Sequence, residues 1–334
     1  MKRNLTKESV LAILKDNSTR YISGEEIAER LFITRSAVWK SIKSLREDGM
    51  QIEAISNKGY RLVDEIDGIS SIGIKAKLSE ECKDIAIKCY ETVESTNDIA
   101  NEWGRLGIQE ECVVVAQEQT KGRGRRGREF YSPKDTGLYM SLCLFPETDA
   151  KSATLLTCVT AVAVCRALVE TTSINPEIKW VNDIFYNDRK IAGILTEAVT
   201  SIEDGSLSYM VIGIGINLYD PIKGFPDAIK KIAGSVYSKG GRKDNIRNEL
   251  AASIVSNFMR IYREDWSQII DEYRKKSFLI GKTVIVHPAG RIDINKDNMY
   301  AKAIAIDDEC HLVVEYENGK VEALSTGEVS VVKY

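Results

Sequence analysis

The stretch Gly122-Arg123-Gly124-Arg125-Arg126-Gly127-Arg128 decides the fold class; it follows the apolar run Cys112-Val113-Val114-Val115-Ala116 and precedes Glu129-Phe130-Tyr131-Ser132-Pro133. Four arginines and three glycines share seven positions. Glycine lets backbone N–H groups approach a ligand closely, and arginine presents a planar, permanently charged fork to carboxylate or phosphate. The stretch also matches G-x-G-x-x-G after a strand, which raises a dinucleotide-binding fold. In that fold the third glycine lies in a helix, whereas here Pro133 and Gly137 interrupt any helix beyond the loop. The nicotinamide reading is therefore set aside, leaving an anion-gripping loop or a solvated basic one.

Working outward, 334 residues suffice for two or three domains, each with its own core. The net charge is −3, but residues 1–63 carry 12 Lys/Arg against 8 Asp/Glu, a balance of +4, and the remainder carries 34 against 41, a balance of −7. Seven cysteines, an odd number with no C-x-x-C, imply a reduced protein with buried thiols. Met1-Lys2-Arg3 leads into an amphipathic pattern rather than a signal peptide, and the most apolar segment, 153–169, carries Arg166 and reads as too short to cross a membrane. A cytoplasmic protein with no membrane partner is expected. With only two histidines, both near the C-terminus, histidine-based catalysis or a histidine metal site is not expected.

Residues 1–65 read as a DNA-binding unit. Val10, Leu11, Ile13 and Leu14 make one apolar helical face, and Ser23-Gly24-Glu25-Glu26 has the spacing of a capping box. Thr34 caps a third helix of about 35–48, whose Val38, Ile42 and Leu45 turn inward while Arg35, Ser36, Trp39, Lys40, Lys43 and Arg46 face out. Gly49 ends it, and Ile52-Glu53-Ala54-Ile55 and Gly59-Tyr60-Arg61-Leu62 flank Asn57-Lys58 as a hairpin. Helix, turn, helix and hairpin resemble a winged helix-turn-helix, with Arg35, Ser36, Trp39, Lys40 and Lys43 as DNA contacts. A small protein-binding helical domain is the alternative; the positive balance favours DNA through counterion release. Acidic, turn-rich residues from Asp64 onward mark a linker.

In the middle of the chain a strand at 85–90 leads to Ser95, Thr96 and Asn97 and then a helix of about 97–107. The three polar residues either cap that helix or hydrogen-bond a planar ligand. The strand at 112–118 delivers Gln119 into the arginine loop. Residues 177–186 read as a strand whose alternation breaks at Asn182-Asp183, and Asn187-Asp188 turns it into a partner at 189–197. Gly193, Gly213 and Gly215 inside strand-like runs mark close approach of backbone or ligand. Asn182-Asp183 is either a bulge or a polar wall for magnesium or nucleotide. Beyond residue 276, four short strands and an Asn318-Gly319 turn suggest a small barrel.

Four ordered motifs now carry a resemblance: Glu94-Ser95-Thr96-Asn97 with the arginine loop, Lys179-Trp180-Val181-Asn182-Asp183-Ile184, Arg189-Lys190-Ile191-Ala192-Gly193-Ile194-Leu195, and Gly213-Ile214-Gly215-Ile216-Asn217. Together with the winged N-terminus, the chain resembles bifunctional bacterial biotin–protein ligases that repress the biotin operon. The resemblance implies an α+β multidomain protein: winged helix-turn-helix at 1–65, a class II synthetase-like mixed-sheet catalytic domain with flanking helices at 66–276, and a small SH3-like β-barrel at 277–334. It implies activation of biotin by ATP, with Mg2+, to biotinyl-5′-adenylate and transfer to a lysine of the biotin carrier domain of a biotin-dependent carboxylase. It also implies operator DNA as a partner, and a homodimer when the adenylate is bound.

Carried over by motif, the resemblance puts Ser95, Thr96 and Asn97 at biotin's ureido ring and Gln119 beside the acyl tail. Arg123, Gly124 and Arg125 cover the carboxylate and adenylate phosphate, and Lys190 contacts the activated carboxyl. Arg123, Arg125 and Lys190 are the implied catalytic groups. Arg128, Lys179, Asn182, Asp183 and Asn217 fall on the ATP side. Glu129-Phe130 departs from the lysine and tryptophan common in relatives, and residues 219–245 match no motif, reading as an adenine-covering segment or a surface connection. The alternatives are a biotin-sensing regulator without ligation and a lipoate ligase.

Overall fold

The computed structural model describes residues 2–17, 20–47, 50, 52–56, 58–62, 68–107, 109–146, 153–200, 207–238, 243–263, 266–287, 299–325 and 328–331. The helix stop expected at Gly49, the turn residue Asn57 and the linker residues 64–67 lie outside them.

The N-terminal unit is built from α1 (Lys2–Asp16), α2 (Gly24–Leu31), α3 (Arg35–Glu47) and an antiparallel hairpin of β1 (Ile52–Ile55) and β2 (Gly59–Leu62). Ser23 accepts from the Glu26 N–H at 3.0 Å and Thr34 from the Ala37 N–H at 3.2 Å, so both expected caps form. Val10, Leu14, Ile27, Val38, Ile42 and Leu45 interlock in a core separate from the rest of the molecule. The wing is tied in by Ile22, whose N–H and C=O both bond Tyr60 at 2.8 Å.

The central unit begins with α4 (Ser71–Lys75), β3 (Ala86–Val93), α5 (Thr96–Arg105), β4 (Cys112–Gln119), β5 (Gly137–Leu144) and α6 (Ala153–Thr172). It continues with β6 (Glu177–Lys179), β7 (Asp183–Tyr186), β8 (Arg189–Thr200), β9 (Leu207–Asn217), α7 (Ile246–Arg263) and α8 (Ser267–Lys276). Its seven strands run in the order β3-β4-β5-β9-β8-β7-β6; β3 and β4 are parallel and every other pair is antiparallel. This mixed sheet excludes the doubly wound dinucleotide fold. β4 and β5 are buried along nearly their whole length because both faces are covered: Val113, Val115, Leu138, Met140 and Leu142 pack with α6 and α7, and Cys112, Val114 and Cys143 pack under α5.

Two expectations need correction. Residues 177–186 are two antiparallel strands, β6 and β7, reversed by a turn at 180–182, so the break in alternation at Asn182 marks a change of direction. The apolar segment forms a 20-residue helix, long and apolar enough by composition to cross a membrane. Instead Leu156, Val159, Val162 and Leu168 lie at the centre of the domain core, and Arg166 pairs with Glu272 at 2.6 Å.

The C-terminal unit is a five-stranded antiparallel sheet of order β13-β12-β11-β10-β14. Its strands are β10 (Thr283–His287), β11 (Met299–Ile306), β12 (Leu312–Tyr316), β13 (Val321–Leu324) and β14 (Glu328–Val331), the last of which was not among the four strands expected. The unit shares the core of the central domain, and Trp180 donates its indole N–H to the Cys310 carbonyl at 2.8 Å. His311 has a structural place, with Nδ1 3.1 Å from Asp307 Oδ2 in a turn.

Candidate active site

Strand register places the site. Tyr139 and Ser141 on β5 stand opposite Gly215 and Gly213 on β9, these stand opposite Gly193 and Leu195 on β8, and Gly193 stands opposite Asp183 on β7, whose partner on β6 is Lys179. Directly opposed residues project from the same face of a sheet. That face therefore carries polar groups at both ends and a hollow of glycines between them. A Cβ on Gly213 would lie 2.2 Å from Asn97 Oδ1, and one on Gly215 would lie 2.5 Å from the Phe130 ring. The glycines are there to admit those two side chains.

At one end, Ser95, Thr96 and Asn97 are all buried. Ser95 holds the N-cap position of α5 but its side chain makes no capping bond, so the capping explanation fails for the side chains. Thr96 gives both its N–H and its hydroxyl to Gln119 Oε1, at 2.8 and 3.0 Å, and Gln119 Nε2 donates to Ser132 Oγ at 3.0 Å. Ser141 Oγ lies 2.7 Å from Thr96 Oγ1 and 2.6 Å from Asn97 Oδ1. Asn97 Nδ2 donates to Glu197 at 2.7 Å. A buried polar network satisfied in this way fixes each group's direction.

The arginine loop forms a closed turn: Gly124 N–H bonds Arg128 O at 2.7 Å, and Phe130 N–H bonds Gly122 O at 2.8 Å. Arg126 and Gly127 adopt left-handed φ values of 56° and 72°, and no helix follows. Arg123 reaches Asp98 and Glu197, both at 3.0 Å. Arg125 donates to Asn182 Oδ1 at 3.1 Å, which joins the loop to the 180–182 turn, and Asn182 is braced in turn by donating to Ile194 O at 2.9 Å. Arg126 and Arg128 are exposed. Phe130 turns inward onto Gly193 and Gly215 and meets Tyr139 edge-on at 6.4 Å. Burial pushes the Tyr139 phenol up to about 12, so it stays protonated, 3.1 Å from the Pro133 carbonyl.

At the other end Lys190 Nζ sits 2.6 Å from Asp183 Oδ1 and close over Gly193. The Lys190 backbone holds the segment after β9: its N–H bonds Ile232 O at 2.8 Å and its C=O accepts from Gly234 at 2.9 Å. Asn217 Nδ2 bonds Gly234 O at 3.0 Å. Residues 219–237 thus form a strap fastened to Lys190 and Asn217, closed by stacked Tyr219 and Tyr237 at 5.6 Å. Sequence reasoning missed Ser141, Ser132, Asp98 and Glu197; a lone serine within the apolar run 137–144 was the available signal for the first.

On the N-terminal unit, Arg35, Ser36, Trp39, Lys40 and Lys43 are all exposed along α3, with Trp39 56% exposed and Lys43 Nζ 5.9 Å from its ring. Arg46 is also exposed, but its guanidinium bonds the Ile52 carbonyl at 2.5 and 3.0 Å.

Fold and site define a class: a winged helix-turn-helix unit joined to a mixed-sheet domain with a cation-lined glycine hollow and a small C-terminal sheet. Comparison with known proteins narrows it. The model of the biotin/lipoate A/B protein ligase family matches residues 89–217, that of an HTH domain 6–61, and that of the biotin protein ligase C terminal domain 292–332. The chain is 32% identical to the bifunctional ligase/repressor BirA of Bacillus subtilis (strain 168) over 319 residues, 95% of this chain and 96% of that one. It is 27% identical to the bifunctional ligase/repressor BirA of Escherichia coli (strain K12), covering 99% and 98% of the two chains. The solved biotin protein ligase from Aquifex aeolicus in complex with biotin and ATP superposes with a TM-score of 0.60 at 25% identity, over 75% of this chain and 99% of that one. The chain belongs to the family of bifunctional biotin ligase/repressors.

Proposed function

We propose that this chain activates biotin with ATP, transfers it to a lysine of a biotin carrier domain, and represses transcription from an operator when the adenylate is bound. The observation that carries the reading is a glycine hollow with Lys190 and the Arg125–Asn182 contact at one end and, at the other, the buried Thr96-Asn97-Ser141 network with Arg123 tied to it through Glu197. The hollow suits an uncharged bicyclic ring, the network its polar edge, and the cations its carboxylate.

In the first step a biotin carboxylate oxygen attacks the α-phosphorus of ATP and pyrophosphate leaves. Charge accumulates on the α-phosphate, and Arg123 and Arg125 are donors held in place before it develops. Lys190 faces the activated carboxyl, while Arg128, Lys179, Asn182, Asp183 and Asn217 are the ATP-side groups. In the second step a carrier lysine amine attacks the acyl carbon and AMP leaves with its phosphate. No covalent enzyme intermediate is needed.

Among the described residues no group of three His, Cys, Asp or Glu side chains could cage a metal. That donor set fits Mg2+ carried on ATP phosphates with Asp183 as a single protein contact, since Mg2+ commonly takes one or two carboxylates plus phosphate oxygens. Bound there it would offset phosphate charge. The units are assigned to 1–65, 66–276 and 277–334, in a cytoplasmic protein that binds its operator as a homodimer, because two-fold operators take two protein half-sites.

The test is transfer of labelled biotin to a carrier domain in the presence of ATP, with free biotin and free lipoate as competitors. Transfer blocked by biotin alone is expected. Tight biotin binding with no transfer would reduce the protein to a sensor, and competition by lipoate would move it to the lipoate ligases.

A further inference from the structure

Glu197 lies on β8 opposite Val211, on the same face as Gly193 and Leu195. Its Oε2 receives Asn97 Nδ2 at 2.7 Å and Arg123 Nη2 at 3.0 Å. One oxygen thus joins the ring end of the site, contributed by α5, to the arginine loop that follows β4. The Glu197 side chain is 30% exposed, far less open than an acid on a solvated strand end.

Arg123 Nη2 also lies 3.0 Å from Asp98 Oδ1, so the guanidinium stands between two carboxylates. An anion that comes to Arg123 competes with both. The Asp98 side chain is 48% exposed, and exposed ion pairs contribute little, so Asp98 yields first. Glu197 is the more buried of the two and is braced by Asn97, so it keeps its hold. Because both acids converge on Nη2, the donors on Nε and Nη1 remain for the incoming group.

We propose that Glu197 is a positioning residue that couples biotin-ring recognition to the aim of Arg123, an inference that rests on the ligase reading above. When Asn97 is drawn onto a ring, its amide stays directed at Glu197, and the same carboxylate keeps Arg123 aimed from the ring end toward the incoming anion. Removing Glu197 releases both groups at once, whereas removing Asp98 frees Arg123 from a competitor.

The test uses the full chain, with biotin binding measured by calorimetry and biotin transfer measured with ATP and a carrier domain. Glu197→Ala is expected to weaken biotin binding roughly 10- to 100-fold, the range for losing charge-assisted hydrogen bonds. The maximal rate at saturating biotin should also fall, but by less than the roughly 100-fold expected when a preorganised donor is removed outright, because Arg123 itself remains. Glu197→Gln keeps an acceptor for Asn97 and should recover part of the loss, and Asp98→Asn should leave binding within about threefold of the wild type or tighten it. If Glu197→Ala binds biotin within about twofold of the wild type, or if Glu197→Gln recovers none of the loss, the inference is overturned. A wild-type chain that binds no biotin would overturn the ligase reading and this inference with it.

Discussion

The two cationic regions of the molecule use the same residues in opposite ways. On α3, Arg35 and Lys40 are exposed and have no acidic partner among the described residues, and Lys43 reaches Glu47 only at 3.9 Å. In the central site three cations are held: Arg123 by Asp98 and Glu197, Arg125 by Asn182, Lys190 by Asp183. The loosely held set suits phosphates whose counterions are released on binding, where affinity comes from charge count and adapts to the duplex. The tightly held set suits a reaction, because groups already oriented need no reorganisation as charge develops. Net charge alone does not separate these uses; the partners of each cation do.

The sharpest way to break this contrast is to remove a held cation. Arg125→Ala should reduce the rate of adenylate formation about 100- to 1000-fold, the range for losing one preorganised donor, and leave ligand-independent DNA binding as it was. Pyrophosphate release alongside a gel shift checks both halves. Next in size is the floor of the site: Gly215→Ala puts a methyl where the Phe130 ring lies 2.5 Å away, so the ring must move. Biotin affinity should fall about tenfold, with overpacking of order 1–3 kcal/mol also lowering the melting temperature.

Changing a loosely held cation should act gently and elsewhere. Lys40→Ala should weaken operator binding severalfold and reduce the slope of log affinity against log salt by about one, with biotin transfer unchanged. A change in transfer would merge the two regions into one. The smallest effect concerns the thiols. Burial pushes Cys112 up to about 11 and Cys143 and Cys165 up to about 12, from an ordinary 9.0, so they should react with Ellman's reagent only on unfolding. Between pH 9 and these values the unfolded chain loses protons that the folded chain keeps, so stability should fall as pH rises through that window.

Much of this was legible in the sequence where the signal is local. The caps at Ser23 and Thr34, the outward face of α3 and the loop between β4 and β5 all follow from spacing and residue type. The reversal at 180–182 was hidden because β6 and β7 are short and their residues join into one strand-like run. The burial of α6 agrees with the reading of 153–169 as a segment that does not cross a membrane; only its length was underestimated, since the helix runs 20 residues. Glu197 and Asp98 were invisible because their role lies in contacts with Arg123 and Asn97, up to 100 positions away. The strap at 219–237 carries no motif, as its fastening to Lys190 is made by backbone groups that any sequence supplies.

The direct test of the central claim, that the held cations build the ligand and the loosely held ones deliver its message to DNA, is a gel shift on the protein's own biotin-gene promoter. Wild-type and Arg125→Ala chains would be titrated with and without biotin plus ATP. The expected result is tighter operator binding by the wild type only when both small molecules are present, and no such gain for Arg125→Ala. Equal operator affinity for the wild type in all conditions, or a full gain in Arg125→Ala, would contradict it.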